Sequence, residues 1–187
     1  DPDAAASGTG DTNALTGANC AYQSLSIWEN ARDDVGDLVT RDTIEEAVCD
    51  STHANHTADS TAVTITGWTT GANNYITIHT PTNSRHSGVY NTSKYRMEIT
   101  YGANGTMFTI AEEYVRVDGL QLKGSNTGDY NVNLFFVQAN NASSDVRISN
   151  NIITLGTFDS ASDSTGVGSS SSATYNVYIW NNIIYNI

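Results

Sequence analysis

Three stretches of this chain are copies of one another: Val115-Arg116-Val117-Asp118-Gly119-Leu120, Val146-Arg147-Ile148-Ser149-Asn150-Asn151-Ile152-Ile153 and Val177-Tyr178-Ile179-Trp180-Asn181-Asn182-Ile183-Ile184. Their first valines stand at 115, 146 and 177, so the spacing is 31 residues both times. The second and third copies match at V-x-I-x-N-N-I-I without a gap. The first has Asp-Gly where the others have Asn-Asn, and reads as one residue shorter there. A strand, a tight turn and another strand at a fixed period predict a solenoid, with one repeat per coil and the strands of successive coils in parallel register.

The corner residues fit that reading. Asn tolerates the left-handed backbone conformation of a tight turn. Asn side chains stacked at equivalent corners can hydrogen-bond along the axis, so Asn150, Asn151, Asn181 and Asn182 are read as a turn ladder. Alternation in a strand points Val146, Ile148 and Ile152 inward, under Val177, Ile179 and Ile183, and turns Arg147 and Tyr178 outward. Upstream, residues 62–68, 75–80 and 95–100 alternate in the same way, and Met107–Ile110 and Asn133–Val137 precede the first two copies. Short strands with Gly, Asn and Ser turns describe an all-β chain. The polar separators at 126–131 and 158–172 read as projecting loops, and the serine run 169–172 as low-complexity sequence.

The front of the chain differs. Residues 1–21 are small and polar and read as an N-terminal arm, followed by one domain over 22–187 that has room to continue beyond the last residue. Ser24–Ala31 is the one clear helix start, with Ser26 and Glu29 at capping-box spacing. A cap helix is therefore expected near 24–33. Asp37–Thr40 reads as a connector and Thr43–Cys49 as a strand.

Composition narrows the partners. The formal charge is −12 with eight Lys plus Arg, so the basic stripe that phosphate contacts require is missing and nucleic acid is not expected. No stretch approaches the roughly 20 apolar residues of a membrane span, so membrane insertion is not expected either. The chain begins Asp1-Pro2-Asp3 without a methionine and reads as a processed or partial chain. Two cysteines, Cys20 and Cys49, and four N-x-S/T sequons at Asn55, Asn91, Asn104 and Asn141 fit an extracellular or cell-surface protein. A Cys20–Cys49 disulfide and glycosylation at those asparagines are the matching expectations.

Taken together, VRVDGLQL, VRISNNII and VYIWNNII resemble the coil signature of the right-handed parallel β-helix proteins of pectate-lyase-like architecture. SLSIWENA, GDLVT, VTITGWTT, RHSGVYNTSKYRMEI and VRVDGLQLKG resemble, more narrowly, a group of secreted or phage-associated β-helix proteins without an agreed activity. The resemblance covers about residues 22–187. It implies an all-β right-handed parallel β-helix with a short helical cap. It does not imply one function, because such helices serve as lyases, glycosidases, tailspikes, adhesins and stalks.

The chemistry of those enzymes is not spelled out in the residues. Asp118 is the only acid in the repeat strands, with Ser149 and Trp180 at its equivalents, so no acidic ladder forms. The motifs N-T-D, G-H-G and R-I-K do not occur, and Asp33-Asp34 sits in the expected cap, so no catalytic residue is assigned. His53 and His56 lack a third ligand, and no metal site is assigned. Asp1, Asp3 and Asp11 with Gly8 and Gly10 can wrap a calcium ion, but their spacing is not that of a known loop, so no cofactor is expected. Trp68, Tyr90, Tyr95, Tyr101, Tyr114, Tyr178 and Tyr185 offer faces for sugars or for cross-strand pairing.

The strand at 177–187 leaves three readings of that end: a longer β-helix, a partner that covers it, or a surface that stacks on another copy. The expected function is an extracellular structural or surface-interaction module, self-assembling head to tail or by strand addition from the arm. The alternative is a carbohydrate-active or glycan-binding β-helix.

Overall fold

A computed structural model describes residues 22–33, 36–51, 57–139, 143–158, 163–170 and 175–187. Cys20, Asn55, Asn141, His53, His56, Asp34 and the whole 1–21 arm lie outside the described residues.

Among the described residues, thirteen strands build three sheets in which every pair is parallel. The first sheet stacks β1 (Glu45–Val48), β3 (Ile76–His79), β6 (Tyr114–Asp118), β9 (Asp145–Ser149) and β12 (Asn176–Trp180). The second stacks β4 (Met97–Tyr101), β7 (Gln121–Asn126), β10 (Ile152–Leu155) and β13 (Ile183–Tyr185). The third stacks β2 (Val63–Ile65), β5 (Gly105–Ile110), β8 (Val132–Val137) and β11 (Thr165–Ser169). Successive strands of the chain visit the sheets in turn, so the fold is a parallel β-solenoid of about four turns. Helix is confined to α1 (Leu25–Arg32) and the single turn α2 (Leu38–Arg41) among the described residues.

Register explains the core. Ile76, Val115, Val146 and Val177 form one column of the first sheet, and Ile78, Val117, Ile148 and Ile179 the next. Both columns point inward, two residues apart, as strand alternation requires. The third sheet answers with Phe108 and Phe135, whose rings lie 5.1 Å apart. Parallel sheets stacked this way carry no exposed edge along the coil, only at its two ends.

The ends are unlike. At the first coil the inward residues Ala47, Cys49, Val63 and Ile65 are all buried. The amphipathic face of α1, Leu25, Trp28, Glu29 and Arg32 at i, i+3, i+4 and i+7, is buried with them. Trp28 stacks on Trp68 at 6.0 Å, and Arg32 makes two hydrogen bonds to the Glu45 carboxylate, at 2.7 and 3.0 Å. At the last coil Ile179 and Ile184 are 48% and 46% exposed, because no described strand pairs with β12 or β13 on the far side.

Several expectations are corrected. The helix is capped by Ser24, not Ser26: Ser24 has extended backbone and its hydroxyl accepts from the Ile27 N–H at 3.1 Å. Glu29 is then a buried core-facing residue rather than a cap. The connector at 37–40 contains α2, capped by Asp37. The first repeat copy is not shorter: Gly119, Asn150 and Asn181 are equivalent, and so are Leu120, Asn151 and Asn182. The corner resets the in–out alternation. Asn151 points in, Ile152 points out and Ile153 points in, so Ile152, though buried as expected, lies outside the core cluster, and Ile183 is 40% exposed. The stretch 165–169 is a strand, not a loop. Its Thr-Gly-Val-Gly-Ser sequence has little strand character, but Val167 is set against Phe135 by the rung beneath.

Candidate interaction surface

The corner between the first and second sheets shows why the repeat keeps its sequence. Gly119 has φ 82°, and Asn150 and Asn181 have φ 56° and 55°. This is the left-handed region, open to glycine and tolerated by asparagine. The next residue turns inward. Asn151, fully buried, accepts from the Leu120 N–H at 2.8 Å and donates from Nδ2 to the Val117 carbonyl at 3.3 Å. Asn182 repeats the pattern one coil later: its Oδ1 accepts from the Asn151 N–H at 2.9 Å and its Nδ2 donates to the Ile148 carbonyl at 2.8 Å. The two side chains also join, Asn151 Nδ2 donating to Asn182 Oδ1 at 3.0 Å. Asn150 and Asn181 thus shape the turn, while Asn151 and Asn182 satisfy the backbone of the coil before.

In the second coil this corner is replaced by a long excursion. The chain leaves β3 at His79 and re-enters the second sheet at Met97, where later coils cross in a few residues. Residues 80–96 run along the axis as a strap. Near their start, Arg85 pairs with Asp118 and His86 binds the Asn150 carbonyl through Nε2 at 2.8 Å. Asp118 also accepts from Ser149 Oγ at 2.8 Å and from Asn150 Nδ2. At the far end, Asn91 N–H donates to Gln121 Oε1 at 2.7 Å, and Gln121 Nε2 donates to the Asn91 and Tyr95 carbonyls, both at 3.0 Å. Tyr90 donates its hydroxyl to Glu98, with Lys123 and Arg96 3.7 and 3.5 Å from the same carboxylate. Burial and the Glu98 bond hold the Tyr90 phenol well above its ordinary range. Gln121 and Ile152 point outward from the second sheet yet are 0% exposed, as the strap lies over them.

The outer face of the first sheet is the other polar surface. Adjacent rungs place Thr77, Arg116, Arg147 and Tyr178 in one row, and His79, Asp118, Ser149 and Trp180 in the next. Arg116 lies 3.3 Å over the Tyr75 ring, a cation–π contact. Arg147 binds Asp145 through Nε and a terminal nitrogen at 2.6 and 2.7 Å. That bond holds the Asp145 carboxyl below its ordinary value. His79 meets Glu46 at 2.7 Å.

A third cluster is buried under the cap. Glu29 Oε1 accepts from Thr66 N–H at 2.7 Å and Trp68 Nε1 at 3.0 Å, and Glu112 accepts from Trp68 N–H at 2.9 Å. Burial pushes each of these carboxyls up to about 7. Asp59 accepts from Leu25 N–H at 2.8 Å and Tyr95 Oη at 3.2 Å, and burial raises it too. No group of three or more His, Cys, Asp or Glu side chains among the described residues is arranged to hold a metal ion.

Of the other residues picked out from the sequence, Cys49 is buried and free. The expected bridge to Cys20 is therefore not part of the described structure, and burial lifts the Cys49 thiol up to about 12. Asn91 and Asn104 are exposed on turns, and Asn91 Oδ1 accepts from the Ser93 N–H at 2.8 Å. Sequence reasoning missed the strap's contacts, the Asp118 network and the Glu29–Glu112 pair. The length of 80–96 without alternation was the available signal for the first, since long ordered loops in compact folds are usually functional.

No protein-family model matches the chain, and no curated protein or solved structure gives a match.

Proposed function

We propose that the protein is an extracellular structural and surface-interaction module, a rigid solenoid that meets its partners through outward side chains and its exposed last coil. One observation carries the reading. Three carboxylates on the outer surface are already satisfied by their neighbours: Asp118 by Arg85, Ser149 and Asn150, Asp145 by Arg147, and Glu98 by Tyr90. A carboxylate holding two or three donors is stabilised as an anion and poorly suited to move a proton in catalysis. The same bonds fix the surface, which favours recognition by shape. The exposed turns at Asn91 and Asn104 support the extracellular side of the reading, because acceptor sequons must reach solvent.

Self-association belongs to the same proposal. Tyr178, Ile179, Trp180, Ile183 and Ile184 form an exposed apolar row on the last coil, and a second copy is the proposed partner. A glycan ligand is the second reading, favoured by Tyr75, Tyr114, Tyr178 and Trp180 beside Arg116 and Arg147 on the first sheet's outer face.

Sedimentation velocity across protein and salt concentration, with negative-stain electron microscopy, tests the first reading. Oligomers that strengthen with salt, as the charge of −12 is screened, support it. A monomer under every condition removes self-association. Polysaccharide pull-down that is lost in Arg116→Ala but kept in Lys94→Ala moves the assignment to the glycan reading.

A further inference from the structure

We propose that the 80–96 strap is a pH-released cover: with the His86 ring neutral it is latched across the corners of the third and fourth coils, and protonation of that ring unlatches its 85–89 segment and uncovers Ile152 and Ile183 on the outer face of the second sheet.

The hydrogen bonds assign the tautomer. His86 Nδ1 accepts from the Gly88 N–H at 3.2 Å, so that nitrogen carries no proton. Nε2 must then be the N–H that donates to the Asn150 carbonyl at 2.8 Å. Both ring nitrogens are committed in the neutral form. A second proton on Nδ1 would face the Gly88 N–H, donor against donor, and the turn 86–88 would open. Gly88, with φ 88°, is set by this turn so that a Cβ there would lie 3.9 Å from Ile183 Cδ1. The latch therefore reaches from the second coil to the last.

The charged surroundings do not favour protonation. Arg85, next on the strap, repels a second positive charge, and the Asp118 carboxylate from the β6–β7 corner is already held by Arg85. Ser149 and Asn150 at the β9–β10 corner and Ile183 on β13 are uncharged. Tyr90, Glu98, Lys123, Lys94 and Arg96 are grouped toward the other end of the strap and tie that end down. Burial and Arg85 hold the ring below its ordinary value of 6.5, against the raising effect of the Asn150 bond. A base held low when folded is protonated more readily in the open form. The latch is thus whole above pH 6.5 and is lost as pH falls below it.

The cover has something to hide. Ile152 points outward but is fully buried, and its neighbour Ile183 on the last rung is 40% exposed. Opening would further expose Ile183, which Gly88 faces, and Ile152 on the next rung.

Hydrogen exchange of the full chain at pH 7.5 and pH 5.0, corrected for intrinsic rates, tests the proposal. The Gly88 amide, bonded to His86 Nδ1, should lose protection by about tenfold or more at pH 5.0 while the Asn91 amide, bonded to Gln121, and β6–β10 stay protected. H86Q should remain protected at both values, because the amide can replace both bonds and does not titrate. H79Q should open like the wild type. Equal protection of the wild type at both values, or opening of H86Q only at pH 5.0, overturns the proposal. If H86Q is open at both, nitrogen shifts of the wild-type ring decide. An Nε2–H tautomer titrating together with strap exposure supports the latch, and any other tautomer, or titration uncoupled from exposure, overturns it.

Discussion

Asn182 reaches back one coil to Asn151, its Oδ1 taking both the backbone N–H and the side-chain Nδ2 of Asn151 at 2.9 and 3.0 Å. Asn151 does the same service for Leu120 and Val117. Each corner asparagine therefore closes the hydrogen bonds of the coil before its own. Asn151→Ala would leave the Leu120 N–H partnerless in a dry corner and take one bond from the Val117 carbonyl. The expected loss is about 1–3 kcal/mol, read from the denaturation midpoint at unchanged slope. Asn182→Ala should cost less, because Asn182 is only partly buried. Equal stability of Asn151→Ala and wild type would mean that water enters the corner.

Ile148 sits in the inward column between Val117 and Ile179. Ile148→Asp puts an unpaired carboxylate among stacked aliphatic groups and should destabilise by roughly 3–5 kcal/mol, as an uncompensated buried charge does. Ile179→Asp, on the half-exposed last rung, should cost much less. Thermal melts of the two variants rank the positions, and similar losses would contradict the register.

The period and the inward columns were legible because they are repeated chemistry: β-branched residues at alternate positions, then asparagine where the backbone turns left-handed. What was not legible followed from geometry that repetition does not encode. Leu120 resembles the isoleucines after the Asn pair, yet it occupies the place of Asn151, so an imagined gap put Ile152 inside. Ile152 is apolar because the strap covers it from outside, and nothing local in Asn151-Ile152-Ile153 tells the two kinds of burial apart. Thr165–Ser169 becomes a strand only because β8 offers a rung to pair with. The strap's polar sequence hides contacts with residues 30 to 64 positions away. The buried Glu29 looked like a capping residue because Ser26 stands three before it.

Cys49 is enclosed, hydrogen-bonded to Tyr95, and its thiol is raised to about 12 by burial. A thiol this far above neutrality carries almost no thiolate. It should resist alkylation in the folded protein at pH 8 and react fully in denaturant without reductant. The denatured chain should thus yield the Cys49 thiol. A yield of zero before reduction would establish the bridge expected from the sequence and overturn the free-thiol arrangement.

The buried carboxyls under α1 should make the cap most stable in acid. Glu29 is held at about 7 when folded, against 4.5 as an ordinary carboxyl, chiefly by burial, with Asp33 and Glu112 adding repulsion. The folded state therefore binds this proton more tightly than the unfolded chain. Its contribution is fully present below pH 4.5, falls as pH rises toward 7, and is flat above. Glu112 and Asp59 are raised by burial and act in the same direction. His86 acts oppositely, losing stability as pH falls below 6.5, so the wild-type profile alone mixes two signs. Glu29→Gln isolates one of them. It keeps an acceptor for Thr66 N–H and Trp68 Nε1 but cannot ionise. The variant should gain melting temperature relative to wild type at pH 8 more than at pH 4, and the gap should open between pH 4.5 and 7. A gap of constant size across that range would mean that Glu29 is not protonated in the folded cap.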